Sequence, residues 1–185
     1  MPGRQLARSD RHNQRVTTTS PLAGDALIPG APLSWDRHAD LPRRPIEVWP
    51  WLEQLGKGRA GWYLPRSVER FLPPRGRALH RVDPAYGGVR AGQRVPDYGP
   101  DGWFEAWLVD PPHTLVWWSE RGDLRYSWAL VLSPRDGGSH LQMRLRFSRR
   151  IGRRAPAVME AGADLIDRTF LGLMVAGLRE RLTER

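Results

Sequence analysis

From Ala78 to Ser148 hydrophobic and polar residues alternate with a period of two, and short turn sequences interrupt them at close intervals. Ala78–Val82, Gln93–Val95, Trp103–Val109, Thr114–Glu120, Arg125–Leu132 and His140–Ser148 read as strands. Tyr98–Gly102, Asp110–Pro112, Arg121–Asp123 and Pro134–Gly138 read as the turns between them. Links this short join antiparallel neighbours, because a parallel pair needs a crossover of a dozen residues or more. The last strand sets Leu141, Met143, Leu145 and Phe147 against Gln142, Arg144, Arg146 and Ser148, so one face is buried and the other wet. A helix closes the chain, from Pro156 to about Leu182, about 40 Å long at 1.5 Å per residue. Val158, Leu165, Ile166, Thr169, Phe170, Leu173 and Gly177 trace its expected apolar face. A sheet that is apolar on one side must be covered, and this helix is the only long element able to do it.

Upstream, Ser34–Ala39 alternates as a first strand. Pro45–Leu55 then carries a helical stripe of Ile46, Trp49, Leu52 and Leu55, although Pro50 inside it costs about 3 kcal/mol. Gly56 is placed to stop that helix, and Leu64–Leu72 reads as a second short one ending before Pro73-Pro74. Between them runs Gly56-Lys57-Gly58-Arg59-Ala60-Gly61, flanked by Trp49, Trp51, Trp62 and Tyr63, whose rings would gather on one concave side. Residues 1–30 show little periodicity and end in Pro29-Gly30, so they read as a disordered extension to a single domain over 31–185.

Nine tryptophans in 185 residues suit a large core or a ligand cavity. The absence of cysteine removes disulfides, thiolate zinc sites and cysteine nucleophiles, and fits a reducing, cytoplasmic setting. The net charge of +9 raises the question of nucleic acid, but only Lys57 among the 29 basic residues is lysine. That bias, with 19 Gly and 17 Pro, marks GC-rich coding, and no recognition module accompanies it. The cluster Arg149, Arg150, Arg153 and Arg154 reads as solvated surface, and no specific nucleic-acid partner is expected. No apolar run reaches the roughly 18 residues of a membrane span, and no secretory signal is evident. His38, His80, His113 and His140 lack metal-ligand spacing, so neither metal nor cofactor is expected. The glycine link lacks the phosphate-loop spacing, and no serine sits in a nucleophile elbow.

The order of strand, helix pair, antiparallel sheet and long terminal helix is that of the helix-grip fold, an α+β architecture with a curved sheet wrapped around its last helix. The run VWPWLEQLGKGRAGWY resembles the signature of an actinobacterial-type branch of the SRPBCC superfamily, the START and polyketide-cyclase-like proteins. VRAGQRVP at 89–96, SWALVLSP at 127–134 and the Gly137-Gly138 turn are similar too, so the resemblance covers about residues 33–183. It implies a cavity between the sheet and the long helix. Trp51, Arg59, Trp62 and Tyr63 would sit at its mouth. Trp103 or Phe104, Trp117 or Trp118, Trp128 and Phe170 would form its walls, since register decides which of each pair faces inward. Arg59 is the expected polar anchor for a ligand oxygen. Glu105, Glu120, Tyr126, Arg144 and Arg146 are the strand residues able to bring acid–base chemistry inside.

Three functions stand as expectations. The first is binding or transport of a small hydrophobic ligand, such as a lipid, polyketide or isoprenoid, without catalysis. The second is an aromatase or cyclase acting on a polyketide-like substrate, which an inward Glu, Tyr or His would favour. The third is an interaction protein with a vestigial cavity, which a sealed interior would favour.

Overall fold

The computed structural model describes residues 20–97, 102–149 and 157–184. The chain forms β1 (Leu33–Leu41), α1 (Pro45–Gln54), α2 (Arg66–Glu69), β2 (Arg94–Pro96), β3 (Trp103–Asp110), β4 (Thr114–Arg121), β5 (Leu124–Arg135), β6 (Gly138–Phe147) and α3 (Ala157–Thr183). The strands make one antiparallel sheet in the order β1-β6-β5-β4-β3-β2. The first strand therefore returns to pair with the last, and α3 packs across the concave face. This is a helix-grip fold.

Leu130, Leu132, Leu141 and Met143 of β5 and β6 meet Leu171, Met174, Val175 and Leu178 of α3 in the core. Among the side chains described, from residue 165 on, the buried stripe of α3 thus begins at Leu171. The face expected from sequence is displaced from it, and Leu165 and Ile166 are 63% and 72% exposed. Leu165→Ala should accordingly change stability by less than about 0.5 kcal/mol in a urea melt. A loss above about 2 kcal/mol would place this turn in the core. Gly177 does lie on the buried side. A Cβ there would stand 2.5 Å from the Leu64 carbonyl carbon, so the helix can approach the Tyr63–Leu64 backbone only because position 177 has no side chain.

In α1 the buried residues include Val48, Trp49, Trp51 and Leu52, while Ile46, expected on the apolar stripe, is exposed. Pro50 is accommodated inside the helix, with Pro45 at its first turn and the Glu47 carboxylate accepting from the Arg44 backbone N–H at 3.2 Å. The second helix is shorter than expected, four residues from Arg66.

Ala78–Val82 is not a strand. Its backbone groups are taken by side chains and by the glycine link: Leu79 N–H donates to Ala60 O at 2.8 Å, Arg181 donates to Leu79 O, and Gln54 donates to Arg81 O. Alternating residues made the segment look pleated, but no neighbouring strand is there to pair with it.

Residues 20–30, assigned on sequence grounds to the extension, pack on the convex face of the sheet. Arg144, 2% exposed, donates to Asp36 of β1 at 2.8 Å, to Asp25 at 2.7 Å and to Ser20 O at 3.1 Å. Arg146 pairs with Asp25 at 3.1 Å and donates to Ile28 O at 2.9 Å. The two arginines expected as candidates for chemistry inside the cup instead hold a strap on its outside. Residues 1–19 lie outside the described residues, as do Arg150, Arg153 and Arg154; Arg149 pairs with Asp123 at 2.6 Å.

Candidate functional site

Register gathers the rings. Trp117 of β4 lies opposite Trp128 of β5, which lies opposite Leu145 of β6, which lies opposite Trp35 of β1. Two residues along, on the same concave face, Ser119, Tyr126 and Phe147 form a parallel row. Trp118, by contrast, lies opposite Ser127 and Glu105 on the convex side, which resolves the Trp117-Trp118 pair in favour of Trp117 as the inward residue.

Between these rows and α3 lies a cavity of about 220 Å³, open on one side. Phe104, Tyr126, Trp128, Leu145 and Phe147 come from the sheet, and Asp167, Phe170 and Leu171 from α3. Trp62, just after the glycine link, and Asp97, just after β2, complete the lining. The rings touch one another edge-on or tilted: Trp62 to Trp128 at 5.8 Å between centroids, Trp62 to Phe170 at 5.6 Å, and Phe104 to Tyr126 at 5.3 Å. The Trp62 Nε1–H is buried and has no hydrogen-bond partner among the described residues. A donor left so costs about 1–3 kcal/mol unless an acceptor reaches it.

Two carboxylates face this apolar space. Asp97 accepts from the Tyr126 hydroxyl at 3.3 Å and is paired with Arg121, whose guanidinium lies 5.1 Å from the centre of the Tyr126 ring. The Lys57 ammonium donates to the Asp97 backbone carbonyl at 3.2 Å, which ties the glycine link to this corner. Burial pushes the Tyr126 phenol above its ordinary pKa, so it stays a neutral donor at physiological pH. Asp167 is paired with Arg37 of β1 at 3.0 Å. Arg37 and Arg121, paired with these carboxylates, do not line the cavity.

Of the residues expected at the site, Trp62, Trp128 and Phe170 line the cavity together, and Trp117 is core with its ring 6.4 Å from that of Phe104. Trp51 and Tyr63 belong to the packing under α1. Their rings meet edge-on at 5.6 Å, and the Tyr63 hydroxyl donates to Trp51 O at 2.8 Å while accepting from Gln54 at 3.0 Å. Arg59 does not reach the cavity. Its guanidinium donates to Glu53 O at 2.9 Å and to Tyr86 O, stapling the loop to α1. Trp103 points to the face opposite Phe104, under the Arg94 guanidinium at 4.1 Å, and Glu105 pairs with Arg94 at 2.9 Å on that same face. Glu120 is exposed near the end of β4.

Helix-grip geometry with an inward aromatic cavity invites comparison with solved structures. The likeness found is one of fold. Over 81% of this chain and 93% of the other, SA2116 from Staphylococcus aureus superposes with a TM-score of 0.54 at 9% identity. An Arthrobacter aurescens protein matches over 83% and 87% with a TM-score of 0.51 at 17% identity, and MLL2253 from Mesorhizobium loti over 83% and 100% with 0.50 at 20%. No protein-family model and no curated protein matches the sequence.

Asp97, Asp167, Leu145, Phe147 and Leu171 were not among the candidate residues. Leu145 and Phe147 carried a signal, since they stand on the apolar side of the β6 alternation. Asp97 and Asp167 carried none, because a carboxylate in a loop or on a helix reads as solvated until the fold turns it inward. A larger open groove, of about 720 Å³, lies between the β5–β6 turn and the end of α3. Within it Arg135 is paired to Asp40 and Arg179 donates to Asp40 O at 2.9 Å, and no expected residue lies there. Among the described residues no helix is long and apolar enough to cross a membrane.

Proposed function

We propose that this chain binds a small apolar ligand in the cavity between the sheet and α3, as a member of the SRPBCC superfamily acting in the cytoplasm. The observation that carries the reading is an open cavity of about 220 Å³ walled by rings from three separate parts of the chain: Trp62, the β3–β6 aromatics and Phe170. Burying about 200 Å² of apolar ligand surface there yields about 5 kcal/mol before the cost of association. The open side sets this reading apart from a vestigial, sealed interior.

One observation favours a second reading, an aromatase- or cyclase-type enzyme. Tyr126 faces the cavity and its hydroxyl contacts Asp97, so a phenol and a carboxylate share one corner of an apolar space. Asp97 could accept a proton while Tyr126 orients the acceptor.

2-Naphthol, a neutral fluorophore of two fused rings that matches a cavity of about 220 Å³, should bind the folded protein saturably and quench tryptophan emission. Trp62→Ala is expected to weaken that binding at least tenfold while leaving the thermal melt within a few degrees. Arg59→Ala should leave it unchanged. Equal affinity in wild type and Trp62→Ala would remove the cavity as the binding site. Turnover of a polyketide-like substrate that Tyr126→Phe abolishes without loss of binding would establish the second reading over the first.

A further inference from the structure

The cavity's lining specifies more than apolarity. Its walls are aromatic, and among the described residues the charged groups that line it, Asp97 and Asp167, are both carboxylates. The guanidiniums paired with them, Arg121 with Asp97 and Arg37 with Asp167, are not among the lining residues. A ligand therefore meets carboxylate oxygens and ring faces, beside the Trp62 indole whose Nε1–H has no partner among the described residues. A carboxylic acid would place its charge against two others of the same sign, whereas an ammonium would find carboxylate oxygens together with the negative faces of Trp62, Trp128 and Phe104. The Oδ2 of Asp97 already accepts from Tyr126 and Arg121, yet a carboxylate offers about four lone-pair positions, which leaves acceptor capacity on the group.

Size narrows the class further. At about 220 Å³ the cavity falls below the roughly 300–1,000 Å³ of sites for drug-sized ligands. At roughly 20 Å³ per non-hydrogen atom in a close-packed interior it holds about a dozen atoms, which is two fused rings with a short substituent. A long acyl chain or a tetracyclic polyketide does not fit inside it.

We infer that the ligand is a compact arylalkyl amine, bound as its cation with the ring among Trp62, Phe104 and Trp128 and the ammonium toward Asp97 or Asp167. The inference rests on the proposed binding role and names its ligand class. The chain's net charge of +9 works against any cation, so a preference for one reports the lining itself.

The test compares naphthylmethylamine, naphthylmethanol and naphthoate, which share a ring system and differ in head group. Affinities are read by isothermal titration calorimetry near neutral pH at about 150 mM salt, where non-specific charge effects are screened. The amine should bind at least tenfold more tightly than naphthoate and several-fold more tightly than the alcohol. Asp97→Asn and Asp167→Asn should each reduce the amine's advantage while leaving the alcohol's affinity within about twofold. Because Asp97 also holds Arg121 and Tyr126, thermal melts accompany both variants, and Asp167→Asn carries the test if Asp97→Asn fails to fold. An amine no tighter than naphthoate or the alcohol, or an advantage that persists in the folded Asn variants, would overturn the inference. If 2-naphthol still binds in a Trp62-dependent way under that outcome, the binding role stands and only the amine class falls. If neither the fluorophore nor any naphthyl compound binds, both fall.

Discussion

Glu69→Ala and Arg181→Ala should each cost about 3–5 kcal/mol, the loss expected when one half of a buried ion pair is left alone. At this chain length that corresponds to a fall in Tm on the order of 10 °C. Arg181 is fully buried near the end of α3 and pairs with Glu69 of α2 at 2.7 Å. It also donates to Leu79 O at 2.8 Å, Leu64 O at 3.0 Å and Gly177 O at 2.9 Å, with its guanidinium 4.9 Å from the centre of the Tyr63 ring. The single side chain thus ties the closing helix to the helix pair and to the loop after it. His80 Nε2 stands 2.7 Å from the second Glu69 oxygen and 3.2 Å from Arg181 Nη2, so the ring joins the same cluster.

Glu69 also sets an acid limb. Its burial opposes ionisation, but hydrogen bonds from His80 and Arg181 outweigh burial and hold the carboxyl below its ordinary 4.5. A carboxyl lowered in the folded state contributes stability that is full above its unfolded pKa and is lost as pH falls through the folded one. Tm should be level from pH 7 to about 5 and decline below about 4.5, with a shallower decline in Glu69→Gln. An equally steep decline in that variant would place the acid sensitivity elsewhere. A Tm unchanged in both alanine variants would show that the clamp contributes nothing to stability.

A chain beginning at Ala31 should be less stable by about 3 kcal/mol than one beginning at Ser20. The shorter chain lacks Asp25, which pairs with both Arg144 and Arg146, and leaves Arg144 with Asp36 as its remaining carboxylate. It also uncovers Val116, fully buried on the convex face beneath Gly24, where a Cβ at position 24 would come within 2.7 Å of it. Asp25→Ala in the longer chain should reproduce most of the loss, and identical urea midpoints for the two chains would show the strap to be dispensable. Sequence periodicity suggests no loss at all, because three or four polar contacts made by a short irregular segment leave no repeating pattern.

The strands from Trp103 onward were legible because alternation and turn residues are local properties, and the structure places β3 to β6 within a few residues of the expected spans. Ala78–Val82 alternates equally well and is no strand, since pairing is decided by what lies beside a segment. The same limit applies to α3. Its existence and length follow from local periodicity, but Leu165, Ile166 and Leu171 are equally apolar. Only the point where the helix meets the sheet makes Leu171 core and leaves the other two outside.

At the site, Trp62, Trp128 and Phe170 were nameable from sequence, whereas Phe147 was not. The choice of Phe104 over Trp103 and of Trp117 over Trp118 waited on register, because a one-residue shift exchanges the two faces of a strand. Arg59 stands in a glycine-rich loop that looks made for a ligand, yet its Nη2 donates to the backbone carbonyls of Glu53 and Tyr86 and the side chain does not line the cavity. Asp97 and Asp167 lie 70 residues apart and gain meaning only when β2 and α3 bring them to one space. The sequence by itself determined the architecture, because hydrophobic period, turn chemistry and a long terminal helix admit few arrangements. Tertiary structure alone decided the polar character of the cavity, because the direction in which a carboxylate points depends on packing between elements that are distant in the chain.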